Sequence, residues 1–118
     1  MIIVALADIH DNLERVSTVS EDLSAADLSR DVPMILVSHQ PPWDTIADRL
    51  RNGVHVGSHS VRAFIAQVQP LVCFTAHIHE GHGIDSIGRT KVVNPGPLWM
   101  GKYAYAQVGR DTEVAIRP

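Results

Sequence analysis

Internal disulfides are excluded as a source of stability, because the 118-residue chain contains a single cysteine. That thiol, Cys73, lies in the apolar run Leu71-Val72-Cys73-Phe74, where packing is its expected role, and a lone thiol suits a reducing compartment. Long hydrophobic runs are missing too. Nothing approaches the ~20 apolar residues of a bilayer span, so no membrane helix is expected. Residues 1–7 lack a basic flank and Asp8 cuts their apolar run short, which reads as the absence of a signal peptide. There is no basic cluster, and net charge is −3, so the electrostatic footprint of a nucleic-acid binder is lacking. These absences favour a cytoplasmic protein without membrane or nucleic-acid partners. No internal repeat, low-complexity tract or linker divides the chain. With 45% hydrophobic residues it reads as one small globular domain over residues 1–118.

What is present is a recurrent design. Three apolar runs each stop at residues of metal-ligand type. Ile2-Ile3-Val4-Ala5-Leu6-Ala7 leads into Asp8-Ile9-His10, and Met34-Ile35-Leu36-Val37-Ser38 leads into His39. The run at 71–74 leads into Thr75-Ala76-His77-Ile78-His79-Glu80. Side chains at i and i+2 of an extended segment point the same way, so His77 and His79 are expected to aim at one volume beyond the strand. One carboxylate and four imidazoles in the same structural position, Asp8, His10, His39, His77 and His79, form a candidate centre for zinc, manganese, iron or nickel.

Around these runs the pattern alternates. The first strand is apolar throughout, as when both faces of a sheet are covered. Asp11 or Asn12 can cap a helix whose buried stripe is Leu13, Val16, Val19, Leu23 and Ala26. Residues 43–50 read as a short helix and 51–57 as a loop. Ser58 caps a stronger helix with Val61, Phe64, Ile65 and Val68 inward, ended by Pro70. Alternating strand and helix predicts an α/β fold with parallel strands, whose sites gather beyond the strands' carboxyl ends. Downstream, 84–87 and 90–93 form a hairpin about Gly88-Arg89, and 103–108 with 112–116 a second one.

With those residues placed, the chain resembles the calcineurin-like metallophosphoesterases. The matching segments are Asp8-Ile9-His10, Ser38-His39, Ala76-His77-Ile78-His79-Glu80 and Asn94-Pro95-Gly96-Pro97, in the family's order. The resemblance implies two packed β-sheets flanked by helices, a four-layer sandwich in shortened form. It also implies a two-metal centre, with manganese favoured, that hydrolyses phosphomonoesters or phosphodiesters of small molecules. Asp8, His10 and His79 would hold one metal, with His39 and His77 on the second. Ala76 and Asp11 stand where the family commonly has glycine. Two segments are missing between Asp8-Ile9-His10 and Ser38-His39. They are the Gly-Asp segment, whose aspartate bridges the metals, and the Gly-Asn-His/Cys segment, whose asparagine binds the second. The break falls near residues 28–31.

In such a centre a metal-activated hydroxide attacks phosphorus in line, between ions ~3.5–4 Å apart. Without the bridging carboxylate, one metal on Asp8, His10 and His79 is easier to hold than two. His55, His59 and His82 are candidate general acids, and His82 leads because Gly81 and Gly83 would let it approach the metals. Glu80 could support a ligand from behind. Trp43 and Trp99 are expected to pack, and Arg62 and Arg89 to be solvated. Two other readings stay open: a binding scaffold that has lost catalytic ligands, and a mononuclear hydrolase of another type. Exposed sheet edges left by the missing strands would favour a homo-oligomer.

Overall fold

The computed structural model describes residues 1–7, 10–23 and 32–118. Asp8, Ala26 and the expected break at 28–31 lie outside the described residues. Strands β1 (Ile2–Leu6), β2 (Met34–Ser38) and β3 (Val72–Thr75) run parallel, and β5 (Thr90–Asn94) lies parallel beside β3. Strand β4 (Gly83–Ile87) pairs antiparallel with β5 at the outer edge, giving the order β1-β2-β3-β5-β4. The two-residue turn expected at Gly88-Arg89 joins them. β6 (Tyr103–Gln107) and β7 (Glu113–Arg117) form the second hairpin, a separate two-stranded sheet.

Both helices start where capping places them, but the first ends at Asp22, before Leu23, and Leu13, expected in its buried stripe, is exposed. Asn12 accepts from the Arg15 N–H at the start of α1 (Leu13–Asp22), and Ser58 accepts from the Val61 N–H at the start of α2 (His59–Val68). Gln69, in the left-handed region at φ 54°, closes α2 before Pro70. The sheet's inner row, Val4, Leu36, Cys73 and Val92, lies level across four strands. It packs against Val16 of α1 and Val61, Phe64 and Ile65 of α2 to make the core. Burial of such side chains contributes roughly 1.5–3 kcal/mol each.

The architecture is therefore the shortened α/β sandwich: a helical layer, a five-stranded sheet and a two-stranded sheet. Two further local expectations fail. Residues 43–50 hold only a single 3-10 turn, Ile46–Asp48, because buried Asp48 draws the surrounding backbone into a loop instead. The outer face of the sheet is not covered throughout. The β6–β7 hairpin packs through β7 over β4 and β5, leaving Ile3 65% and Val37 40% exposed on β1 and β2.

Cys73 is buried as expected, and burial pushes its thiol from 9.0 up to about 12. A pKa raised on folding contributes stability that is whole below pH 9 and is lost as pH rises towards 12. The parent protein should therefore lose more stability between pH 9 and 12 than Cys73→Ala, compared by urea denaturation at each pH. A thiol reagent at pH 8 should label the parent only after unfolding.

Candidate functional site

Register decides where the site can form. Leu6, Ser38 and Thr75 lie level at the carboxyl ends of β1, β2 and β3, so the chain leaves all three strands at one edge of the sheet. The next residues are tied together there. The His39 N–H donates to the Leu6 carbonyl at 3.4 Å, and the His39 carbonyl accepts from the Ala76 N–H at 3.2 Å. The result is a direct meeting of imidazoles: His39 Nε2 lies 3.1 Å from His77 Nδ1, with ring centroids 4.8 Å apart. His77 reaches this position through a left-handed backbone, φ 68°. His10 and Asp11 share that region, at φ 48° and 54°. Left-handed conformations are uncommon for residues other than glycine and concentrate at functional sites. At Asp11, where the family commonly has glycine, two bonds from α2 and its cap hold the carboxylate: the Ser60 N–H at 2.8 Å and the Ser58 hydroxyl at 2.9 Å. Burial pulls the Asp11 pKa upward, but these bonds and nearby His59 outweigh it and hold the carboxyl below its usual range.

The donor chemistry of the pair suits a cation. At 3.1 Å the two nitrogens stand at N–H···N hydrogen-bond distance, and with both lone pairs turned to one point beside them they could instead be ligands of one ion. Metal–imidazole bonds of roughly 2.0–2.1 Å place neighbouring ligand nitrogens about 3 Å apart, which the observed separation matches. Among the described residues no group of three or more histidine, cysteine, aspartate or glutamate side chains gathers as a metal cluster. Asp8 lies outside them. His10 stands exposed in the turn after β1, and His79 opens the 3-10 turn His79–Gly81. The argument from alternation along an extended segment therefore does not hold for His77 and His79. A left-handed residue and a tight turn redirect the chain between them.

His82 follows that turn, exposed, with its Nδ1–H donating to the His79 carbonyl at 3.2 Å. The reason for Gly81 differs from the one expected. A Cβ there would stand 2.3 Å from the Ala47 carbonyl oxygen, so the glycine allows two turns to pack together. Glu80 does not back a histidine in this arrangement; its carboxylate accepts from the Arg51 N–H. His82, Glu80, His79, Arg51, Trp99 and Met100 line one cleft of about 500 Å³. Trp99 is 79% exposed, against the expectation of packing, because it sits on the tip of the 3-10 turn Leu98–Met100. Trp43 is half-buried and stacks on His59 with centroids 4.5 Å apart. Arg62 is engaged rather than solvated, donating to the carbonyls of Trp43 and Asp44, and Arg89 donates to the Gln69 carbonyl.

Two buried polar residues to which sequence reading gave no role of their own shape this edge. Asp48 is wholly buried and accepts from the N–H groups of Asp44, Thr45 and Gly57 at 3.1, 3.0 and 2.8 Å. It also takes His55 Nδ1 at 2.6 Å, which ties up one of the candidate general acids. The one local signal was the capping pair Thr45 and Asp48. Asn94, also wholly buried, donates from Nδ2 to the Ile78 carbonyl at 2.9 Å and the Ala47 carbonyl at 3.2 Å. Its Oδ1 accepts from the Gly96 N–H at 3.0 Å. Asn94 thus pins the backbone between His77 and His79. Its placement before Pro-Gly at a strand end announced a turn, not this clamp.

Comparison with known proteins bears on the family and the fold. A family model described as metallophosphoesterase, calcineurin superfamily, matches residues 22–116. An uncharacterised protein of Methanocaldococcus jannaschii is 48% identical over 68 residues, covering 54% of this chain and 31% of that protein. A crystal structure superposes with TM-score 0.64 at 23% identity, covering 90% of this chain and 38% of its own, a likeness of fold. A second, from Thermus thermophilus, aligns with TM-score 0.45 at 25% identity over 86% of this chain and 39% of its own. The chain spans about a third of the length of these relatives.

Replacing Asn94 by Ala removes three bonds and orphans the Ala47 carbonyl and the Gly96 N–H, while the Ile78 carbonyl keeps the Gly81 N–H, a loss of roughly 1–3 kcal/mol per orphaned group. Asn94→Ala should lower the thermal midpoint by several degrees and raise hydrogen exchange at residues 77–79. Asn94→Asp, which keeps the Oδ1 acceptor but not the Nδ2 donor, should fall in between or lower.

Proposed function

The chain belongs to the metallophosphoesterases of the calcineurin superfamily, and from that membership we propose a hydrolase that cleaves small phosphomonoesters or phosphodiesters. The observation that carries this reading is the meeting of His39 Nε2 and His77 Nδ1 at the sheet's carboxyl edge. Asp8, His10 and His79 would hold one divalent ion, and His39 and His77 a second, with manganese favoured over iron, zinc or nickel. Ions held there would supply acidification of water and neutralisation of charge on phosphoryl oxygens. The remaining work falls to the chain's own groups. His82 is the proposed general acid: its Nδ1–H is committed to the His79 carbonyl, so in the protonated ring Nε2–H remains to protonate a leaving oxygen. Buried Asn94 holds the 77–79 backbone still while the ester is bound.

The lone thiol supports a cytoplasmic setting. β1 is an edge strand with an apolar outer face, which supports self-association of this chain. Light scattering should show a dimer or larger species, and a monomer persisting at high concentration would overturn that.

A binding-scaffold reading is favoured by one feature, the missing Gly-Asp and Gly-Asn-His/Cys segments between Asp8-Ile9-His10 and Ser38-His39. Metal analysis and hydrolysis of an activated phosphodiester with added manganese separate the two. The enzyme should bind metal and turn over, and His39→Ala should reduce the rate by more than ~100-fold, since even outer partners of metal ligands are worth roughly 10–100-fold. Folded protein that takes up no metal and shows no turnover would establish the scaffold instead.

A further inference from the structure

We propose that the cleft beside His79 and His82 is a leaving-group subsite for a planar aromatic ring, as in an aryl or nucleoside phosphate ester. The proposal rests on the phosphoesterase reading for its chemistry, but not for its binding. Tryptophan is mostly buried on average, so one that is 79% exposed at the wall of a cleft calls for a physical reason. The turn that carries Trp99 is closed, not slack. The Met100 N–H donates to the Pro97 carbonyl at 3.0 Å, and the Gly101 N–H donates to the Leu98 carbonyl at 2.8 Å. Gly101 takes φ 77°, a conformation that glycine adopts without strain. The indole is thus presented on fixed backbone.

The other walls suit the same ligand. Met100 offers a polarisable thioether, which packs favourably on aromatic rings. A Cβ added at Gly96 would lie 3.7 Å from the Met100 Sδ and 3.3 Å from the His82 Cβ, so the two side chains flank the same glycine of the Asn94-to-Pro97 loop. Arg51, whose backbone N–H is held by Glu80, adds a cationic side chain to the lining, suited to a phosphoryl group. A cleft of about 500 Å³ has room for a ring with its attached sugar or ester. A ring stacked on Trp99 would place its ester oxygen towards His82, the proposed proton donor. Hydrolysis then breaks the P–O bond to that oxygen while the oxygen of water forms the new one; the His82 Nε2 proton passes to the departing aryl or sugar oxygen, and the attacking water gives its proton to solvent, from which the His82 ring is reprotonated.

The test reads binding without turnover. Intrinsic fluorescence is titrated with adenosine monophosphate, phenyl phosphate and glycerol phosphate in the absence of metal, in the parent, Trp99→Ala and Trp99→Phe. The two aromatic ligands should quench the parent's emission and glycerol phosphate should not. Trp99→Ala should bind them on the order of 10- to 100-fold more weakly, as for a lost base-stacking platform, and Trp99→Phe should recover most of the affinity, read by calorimetry. Tighter binding of the nucleotide than of phenyl phosphate assigns a nucleoside ester; equal binding assigns a simple aryl ester. Equal binding of all three ligands, or unchanged affinity in Trp99→Ala with its circular dichroism intact, overturns the subsite. So does absence of binding, as when another chain or a further segment occupies the cleft. Quenching in a protein that hydrolyses nothing would sink the phosphoesterase reading alone.

Discussion

The site depends on one constraint, the level ending of three parallel strands. Leu6, Ser38 and Thr75 stand opposite one another, and parallel hydrogen bonding allows no one-residue slip without turning every side chain to the other face. The inner row Val4, Leu36, Cys73 and Val92 must meet the helices, so the burial of the core sets the register, and the register sets where the histidines emerge. Core and site are consequences of the same pairing.

Past the strand ends, polar groups take over from apolar packing. Asp48 gathers three backbone N–H groups and His55, and Asn94 joins the Ile78 and Ala47 carbonyls to its own loop. Buried polar groups persist only when bonded, so both side chains hold their loops to a single conformation. The left-handed residues His10, Asp11 and His77 lie within this bonded frame or beside it. Such backbone is costly, and it persists where the surroundings over-determine it.

The open outer face of β1 and β2 belongs to the same account. Strands apolar on both faces are suited to burial from two sides, and the β6–β7 hairpin covers only the far part of the sheet. The match to this chain accounts for 31% of one relative and 38% of another.

Periodicity along the chain determined a good deal by itself: three apolar strands ending in ligand-type residues, two capped helices, two hairpins and the parallel order. Those features rest on neighbours within a turn or a pleat, so local spacing reveals them. The resemblance grouped His39 with His77 on one metal, and tertiary structure decided their direct contact, that His79 turns into the cleft of His82, and that Trp99 stands in solvent. It also decided the roles of Asp48 and Asn94, whose partners lie up to 47 residues away. Contacts of that kind are made by backbone groups that every residue possesses, so no pattern of side chains announces them before the chain is folded.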